Sequence, residues 1–194
     1  MAHVTPRIIR EEHMAMAAML RSISMLVAQD RQNNSPTHFA ALRAMLFYID
    51  EFPEKRHHRK ETEVLFPRLR ARTPLSRDLL DHLDQDHGRG ELRIREVEHA
   101  LLAWEMMGES RRAAFEQILA RYVDFYLAHM ALEEKEIMPL AKKVLTEQDW
   151  ADIDEAFLAN RDPMTGHSPD SEYQALFTRI VNIVPAPIGL AEAN

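Results

Sequence analysis

The chain has 194 residues and a formal net charge of −7, from 24 basic and 31 acidic side chains. Its 46% apolar and 28% charged residues describe a folded globular protein long enough to bury a sizeable core. The acidic balance argues against a chain that grips nucleic acid or an anionic membrane, and the absence of cysteine removes disulfides, thiolate metal sites and a catalytic thiol.

The first residues, Met-Ala-His-Val-Thr-Pro6, lack a basic region followed by an apolar run, and no stretch approaches the roughly 20 apolar residues of a membrane helix. A cytoplasmic protein is expected. Few β-branched runs, only 5 glycines and abundant Ala, Leu, Met, Glu and Arg predict an all-α fold. Thr5-Pro6, Ser35-Pro36 and Thr73-Pro74 each pair a capping side chain with proline at a first helical position. A further break falls at Gly108, and Thr146 with Asp149 resembles a capping box.

These signals place helices at 6–30, 37–71, 75–105 and 110–144, then two shorter ones near 147–160 and 171–184. The expected architecture is an up-down four-helix bundle with two additional C-terminal helices: residues 1–145 form the bundle and 146–194 an extension. The second helix, about 35 residues or roughly 50 Å, is long for one straight rod, and Pro53 and Pro67 are the places to bend or break it. In the extension, Trp150, Ile153 and Phe157, then Tyr173, Phe177, Ile180 and Val184, form apolar stripes that pack on the bundle or make a homodimer. The tail from Pro185 is expected to lie extended.

Stepping along each helix three or four residues at a time gives its core-facing stripe. The first carries Ile9, His13, Met16 and Leu20; the second Ile49, Pro53, His57, Glu61 and Leu65. The third carries Leu83, His87, Glu91 and Ile94; the fourth Tyr122, Phe125, His129, Glu133 and Ile137. Each of four helices thus buries a histidine, and two add a glutamate one turn later. Glu91 is assigned to the edge of its stripe. One imidazole on an apolar stripe is ordinarily a satisfied core residue. Four imidazoles and two carboxylates together would cost several kcal/mol each unless something compensates them, and a metal pair does so.

An internal repeat sharpens the reading. His57-x3-Glu61-x5-Pro67 and His129-x3-Glu133-x5-Pro139 share one spacing, and His13 precedes His57 by about as many positions as His87 precedes His129. The bundle reads as two helix pairs, each giving one lone histidine and one His-x3-Glu. The glutamates lie one helical turn from their histidines and could bridge two ions. Imidazole and carboxylate without sulfur suit iron, manganese or zinc, and the bundle setting favours a carboxylate-bridged iron pair. Two histidines, two bridging glutamate oxygens and an oxo or hydroxo bridge give each iron five bonds and one open position.

Four strings carry a resemblance to the haemerythrin-like, HHE cation-binding family: Arg10-Glu-Glu-His13, His57-His-Arg-Lys-Glu61-Thr-Glu-Val-Leu-Phe-Pro67, Gln85-Asp-His87-Gly-Arg-Gly90 and His129-Met-Ala-Leu-Glu133-Glu-Lys-Glu-Ile-Met-Pro139. The resemblance implies a four-helix bundle holding a non-haem, oxo-bridged di-iron centre that binds O2, NO or another small diatomic or peroxide, or that handles iron under oxidative or nitrosative stress. The invertebrate oxygen carriers differ in having two third-helix histidines one turn apart and a His-x4-Asp on the fourth helix. Here His82 and His87 are five apart, and the four-His, two-Glu set is more similar to the bacterial iron–sulfur-cluster repair branch, without that branch's cysteine-containing segment. The expected metal set is His13, His57, Glu61, His87, His129 and Glu133.

A ferritin-like di-iron oxidase, built on Glu-x-x-His, is the alternative, since Glu54-Lys-Arg-His57 and Glu96-Val-Glu-His99 fit that pattern. A helical interaction module with incidental histidines is a weaker one. His58, about 100° around an α-helix from His57, is assigned a supporting or surface position. His3, His38, His99 and His167 read as surface or loop residues, His82 as an alternative ligand if the third helix starts differently, and Tyr122 as core packing.

Overall fold

The computed structural model describes residues 3–33, 38–159 and 161–183. The Ser35-Pro36 cap, Val184 and the tail from Pro185 lie outside them. Among the described residues the protein is all-helical with no strand, and its helices fall into six. α1 is Thr5–Asn33, α2 runs over 39–72, α3 is Arg77–Met107, α4 runs over 112–144, α5 is Glu147–Leu158 and α6 is Gln174–Ile183. No described helix is long and apolar enough to cross a membrane.

The ends of these helices follow from their side chains. Thr73 and Thr146 accept the backbone N–H groups of Leu75 and Asp149, and Asp149 returns a bond to the Thr146 backbone, completing the capping box. Thr5 behaves differently from a simple cap. Its N–H and hydroxyl both donate to Asp154 of α5, at 2.9 and 2.6 Å, so a carboxylate from the extension satisfies the N-terminus of α1. Gly108, at φ 86°, ends α3 in a conformation that other residues rarely adopt.

α2 neither breaks nor stays α-helical. It widens into π-helical turns over Asp50–His57 and Glu61–Leu65, and α4 does the same over Glu133–Ile137. The prolines explain where. Proline has no N–H to return to the carbonyl four residues back, and its ring crowds that carbonyl. Bonding to the fifth residue back relieves both problems. Pro53 lies within the first wide turn, while Pro67 and Pro139 stand immediately beyond the other two. The trailing proline of the His-x3-Glu-x5-Pro repeat thus sets the backbone at the glutamate.

The apolar core has two parts. One gathers Leu20 and Ile23 of α1 with Tyr48, Phe52, Trp104 and Tyr122. The other gathers Ile8 and Ile9 with Phe66, Leu83, Ile137 and Trp150. On α1, α2 and α3 the histidine falls between the two parts, and on α4 Glu133 does, one turn beyond His129. The extension contributes to both: Trp150, Ile153 and Phe157 are buried in the second, Phe177 and Ile180 in the first. Its apolar stripes are therefore covered by this chain.

Phe157 has no exposed surface. Phe157→Ala should lower the unfolding free energy by about 3–5 kcal/mol through lost burial and a residual cavity, measured by urea denaturation.

Candidate metal centre

The six residues of the expected metal set are all buried and lie together. His13 comes from α1, His57 and Glu61 from α2, His87 from α3, and His129 and Glu133 from α4. Four imidazoles turn Nε2 inward. His13 Nε2 is 3.3 Å from Glu133 Oε2, and His57 Nε2 is 3.3 Å from Glu61 Oε1. On the other side, His87 Nε2 is 3.5 Å from Glu61 Oε2 and His129 Nε2 is 3.4 Å from Glu133 Oε1. Each carboxylate offers one oxygen to each pair of rings.

Three of the outward nitrogens have hydrogen-bond partners. His57 Nδ1 lies 2.7 Å from Glu12 and His13 Nδ1 3.0 Å from Glu134, whereas Asp86, 3.6 Å from His129 Nδ1, leaves that nitrogen without a hydrogen bond. His87 Nδ1 is 2.8 Å from the Thr62 hydroxyl, which donates onward to Asp84 at 3.0 Å. For His13, His57 and His87 this network assigns the proton to Nδ1 and frees the Nε2 lone pair for a cation, the arrangement in which outer polar groups orient metal-binding imidazoles. Inside, His57 Nε2, Glu61 Oε2 and both Glu133 oxygens are buried without a hydrogen-bond partner. Leaving those atoms unpaired is costly, and a shared cation would satisfy them together.

His58, for which the sequence predicts a supporting or surface position, is not at the surface. It is buried, with its ring stacked on His87 at 4.2 Å and edge-on to His129 at 5.4 Å. An α-helical step of roughly 100° would turn it away from His57, but the π-helical turn ending at His57 rotates less per residue and leaves both rings facing inward. Pro53, inside an otherwise helical pattern, was the available signal. Two ligand groups result: His13, His57, Glu61 and Glu133, and His58, Glu61, His87 and His129, with the ligand atoms of each lying within 4.8 Å of one another.

The remaining histidines and the Glu-x-x-His candidates lie elsewhere. His82, His99 and His167 are exposed, as are Glu91 and Glu96. Glu54 is buried but turns away from the Glu61–Glu133 pair. It accepts the Tyr122 hydroxyl at 2.9 Å and faces His58 Nδ1 at 3.2 Å. A Cβ added at Gly90 would meet the Glu54 carboxylate at 2.6 Å, so only glycine leaves that carboxylate its place. Sequence reasoning gave Glu12 no role and Glu54 only that of a Glu-x-x-His candidate, because their actual partners come from distant positions.

The electrostatics are those of crowded opposite charges. Burial opposes the charged form of His57, but Glu61 and Glu12 outweigh it and hold its pKa well above the ordinary value. His129 is likewise raised to about 10 against burial, by Glu133 and Asp86. Burial, with His87, His129 and His57 nearby, drives His58 well below the usual range, so it is a neutral imidazole, its Nε2 3.5 Å from the Tyr126 hydroxyl. Glu54 is pushed up to about 7 by burial, against the two tyrosine hydroxyls that hydrogen-bond it.

Two outcomes are expected. Gly90→Ala forces Glu54 to move and should destabilise the fold by about 1–3 kcal/mol in chemical denaturation. In metal-free protein, the raised pKa of His129 contributes stability that is complete below about 6.5 and is lost as pH rises towards about 10. Metal-free Tm should therefore fall across that window. Metal-loaded protein, whose imidazoles bind as neutral bases, should not follow this part of the profile.

The chain matches the haemerythrin HHE cation-binding domain over residues 5–141. No curated protein and no solved structure matches it. The match spans most of the chain and contains every residue of the two ligand groups, and the chain belongs to the haemerythrin HHE cation-binding domain family.

Proposed function

We propose that the centre holds two iron ions in an up-down four-helix bundle formed by α1 to α4. His13 and His57 would bind one ion, and His58, His87 and His129 the other. Glu61 and Glu133 would bridge them, with an oxo or hydroxo bridge completing the pair. The donor set is all imidazole and carboxylate, which suits iron in a helical setting, and the unpaired inward atoms support an ion at each position.

The addition of His58 makes the two positions unequal. With three histidines, two carboxylate oxygens and a solvent-derived bridge, one ion has six donors; with two histidines it has five. The observation that carries the functional reading is a small cavity lined by His13 and His57, with His58 also at its wall and Met16, Tyr126 and Met130 among the residues that close it. It leaves about 10 Å³ for the centre of a water-sized molecule, room for one water or diatomic. An iron pair supplies reversible redox chemistry and affinity for O2, NO or peroxide. The chain's own residues keep the donors oriented and exclude bulk solvent. We infer that the protein binds or senses such a molecule, or handles iron under oxidative or nitrosative stress.

The test is metal analysis after aerobic iron loading, followed by O2 and NO titration read by absorbance. Two irons per chain and a coloured product altered by NO are expected; an iron-free, colourless protein would overturn the reading. The double variant His57→Ala/Glu61→Ala should retain neither iron. His58→Ala should weaken chiefly the His87/His129 ion, so that iron content falls toward one per chain. Retention of both irons by the double variant would refute the ligand assignment.

A further inference from the structure

The extension after residue 146 lies outside the residues matched by the family, yet it reaches the centre. Asp162, between α5 and α6, forms part of the wall of the cavity beside His13 and His57. Its position is fixed from several sides. One carboxylate oxygen accepts the buried Tyr48 hydroxyl at 2.5 Å, and the other accepts the Met164 N–H at 2.8 Å. The Asp162 carbonyl accepts both the N–H and the hydroxyl of Thr165, at 3.0 and 2.7 Å, which closes the turn on itself.

The flanking residues bind the same turn to the orienting groups. Arg161 donates to Glu11 at 2.8 Å and lies 3.8 Å from Glu12 Oε1. The other oxygen of Glu12 is the one that faces His57 Nδ1. At the end of α5, the Phe157 ring stands edge-on to His57 at 6.2 Å between centroids. The extension therefore lies over the His13/His57 side of the centre, where the cavity wall includes Glu12 of α1 and Asp162 of the extension.

We propose that Phe157, Arg161 and Asp162 form a selectivity cap, with Asp162 as its specificity-determining residue: the cap admits small uncharged molecules of diatomic size to the His13/His57 position and retards anions and larger molecules. This rests on the reading of that position as the ligand-binding one. The size limit follows from the narrow cavity, and the charge limit from two carboxyl groups in a wall with little solvent to screen them.

The test compares wild-type, Asp162→Ala and Tyr48→Phe holoprotein in stopped-flow binding of azide and of nitric oxide. Tyr48→Phe keeps the packed ring and removes only the bond that anchors Asp162, so it serves where Asp162→Ala fails to fold. Loss of one hydrogen bond to a charged group should raise the azide association rate about tenfold, with iron content and the nitric oxide rate at wild-type levels. An unchanged azide rate in a folded, iron-loaded variant overturns the proposal. So does an equal rise for both ligands, which would describe a plain barrier instead of a selective one. A second readout needs no metal: diethyl pyrocarbonate should modify His13 and His57 of the metal-free full chain faster in both variants than in wild type, with protection of His129 unchanged. Equal modification overturns the cap, whereas absence of iron from wild type overturns the functional reading and leaves this result standing.

Discussion

Everything in this molecule is arranged around one electrostatic constraint: two carboxylates, Glu61 and Glu133, buried side by side in the middle of an apolar structure. Each is 1% exposed, and their mutual repulsion adds to the cost of burial. Nothing in the surrounding hydrocarbon offsets that, so cationic partners must converge on the same place. The imidazoles of all four long helices do so, and the apolar core is divided into two parts around them. In metal-free protein, protons on His57 and His129 can supply the positive charge. Ions that replace those protons satisfy the same oxygens and free the nitrogens to act as donors, so ion binding and folding draw on one set of contacts.

The constraint also explains the irregular backbone. A strict α-helix places residues i and i+4 on one face but sends i+1 away. The π-helical turn at Asp50–His57 relaxes that rule and lets neighbouring residues serve two different ligand groups, His57 on one side and His58 on the other. The proline positions make the device local. They widen only the turns that carry histidine and glutamate, while the flanking α-helical segments bury Leu46 and Leu69 with ordinary periodicity. α1 and α3, which each contribute one histidine, are continuous α-helices.

Much of this was legible in the sequence, for a definite reason. The helical stripes, the caps at Thr73 and Thr146 and the repeated His-x3-Glu are local patterns, and local patterns fix which face each of His13, His57, His87 and His129 presents. His58 was missed because its direction depends on the pitch of one turn, which periodicity arguments take as constant. Glu12 and Glu54 were missed because their roles are set by residues far along the chain: Glu12 by His57 and Arg161, Glu54 by Tyr122 and by the space at Gly90. Asp154 at the start of α1 is the same kind of case. The expected cap was Thr5 itself, and the observed one arrives from the other end of the chain.

The two sides of the centre therefore differ in origin as well as in donor number. The His87/His129 side is enclosed by the long helices: His58 fills the remaining space by stacking between His87 and Tyr126, and Phe66 covers the far face of His87. The His13/His57 side has one imidazole fewer, and there the chain brings in Phe157, Arg161 and Asp162 from beyond the matched domain. A site crowded by its own donors has no need of a cover. In the proposed iron pair the two-histidine position keeps a vacancy, for which water and small anions would compete. The placement of the extension on the two-histidine side is thus the structural complement of the fifth histidine on the other. Altering the occupancy of one side should be felt by the other through Glu61 and Glu133, which each turn one oxygen to either pair of rings.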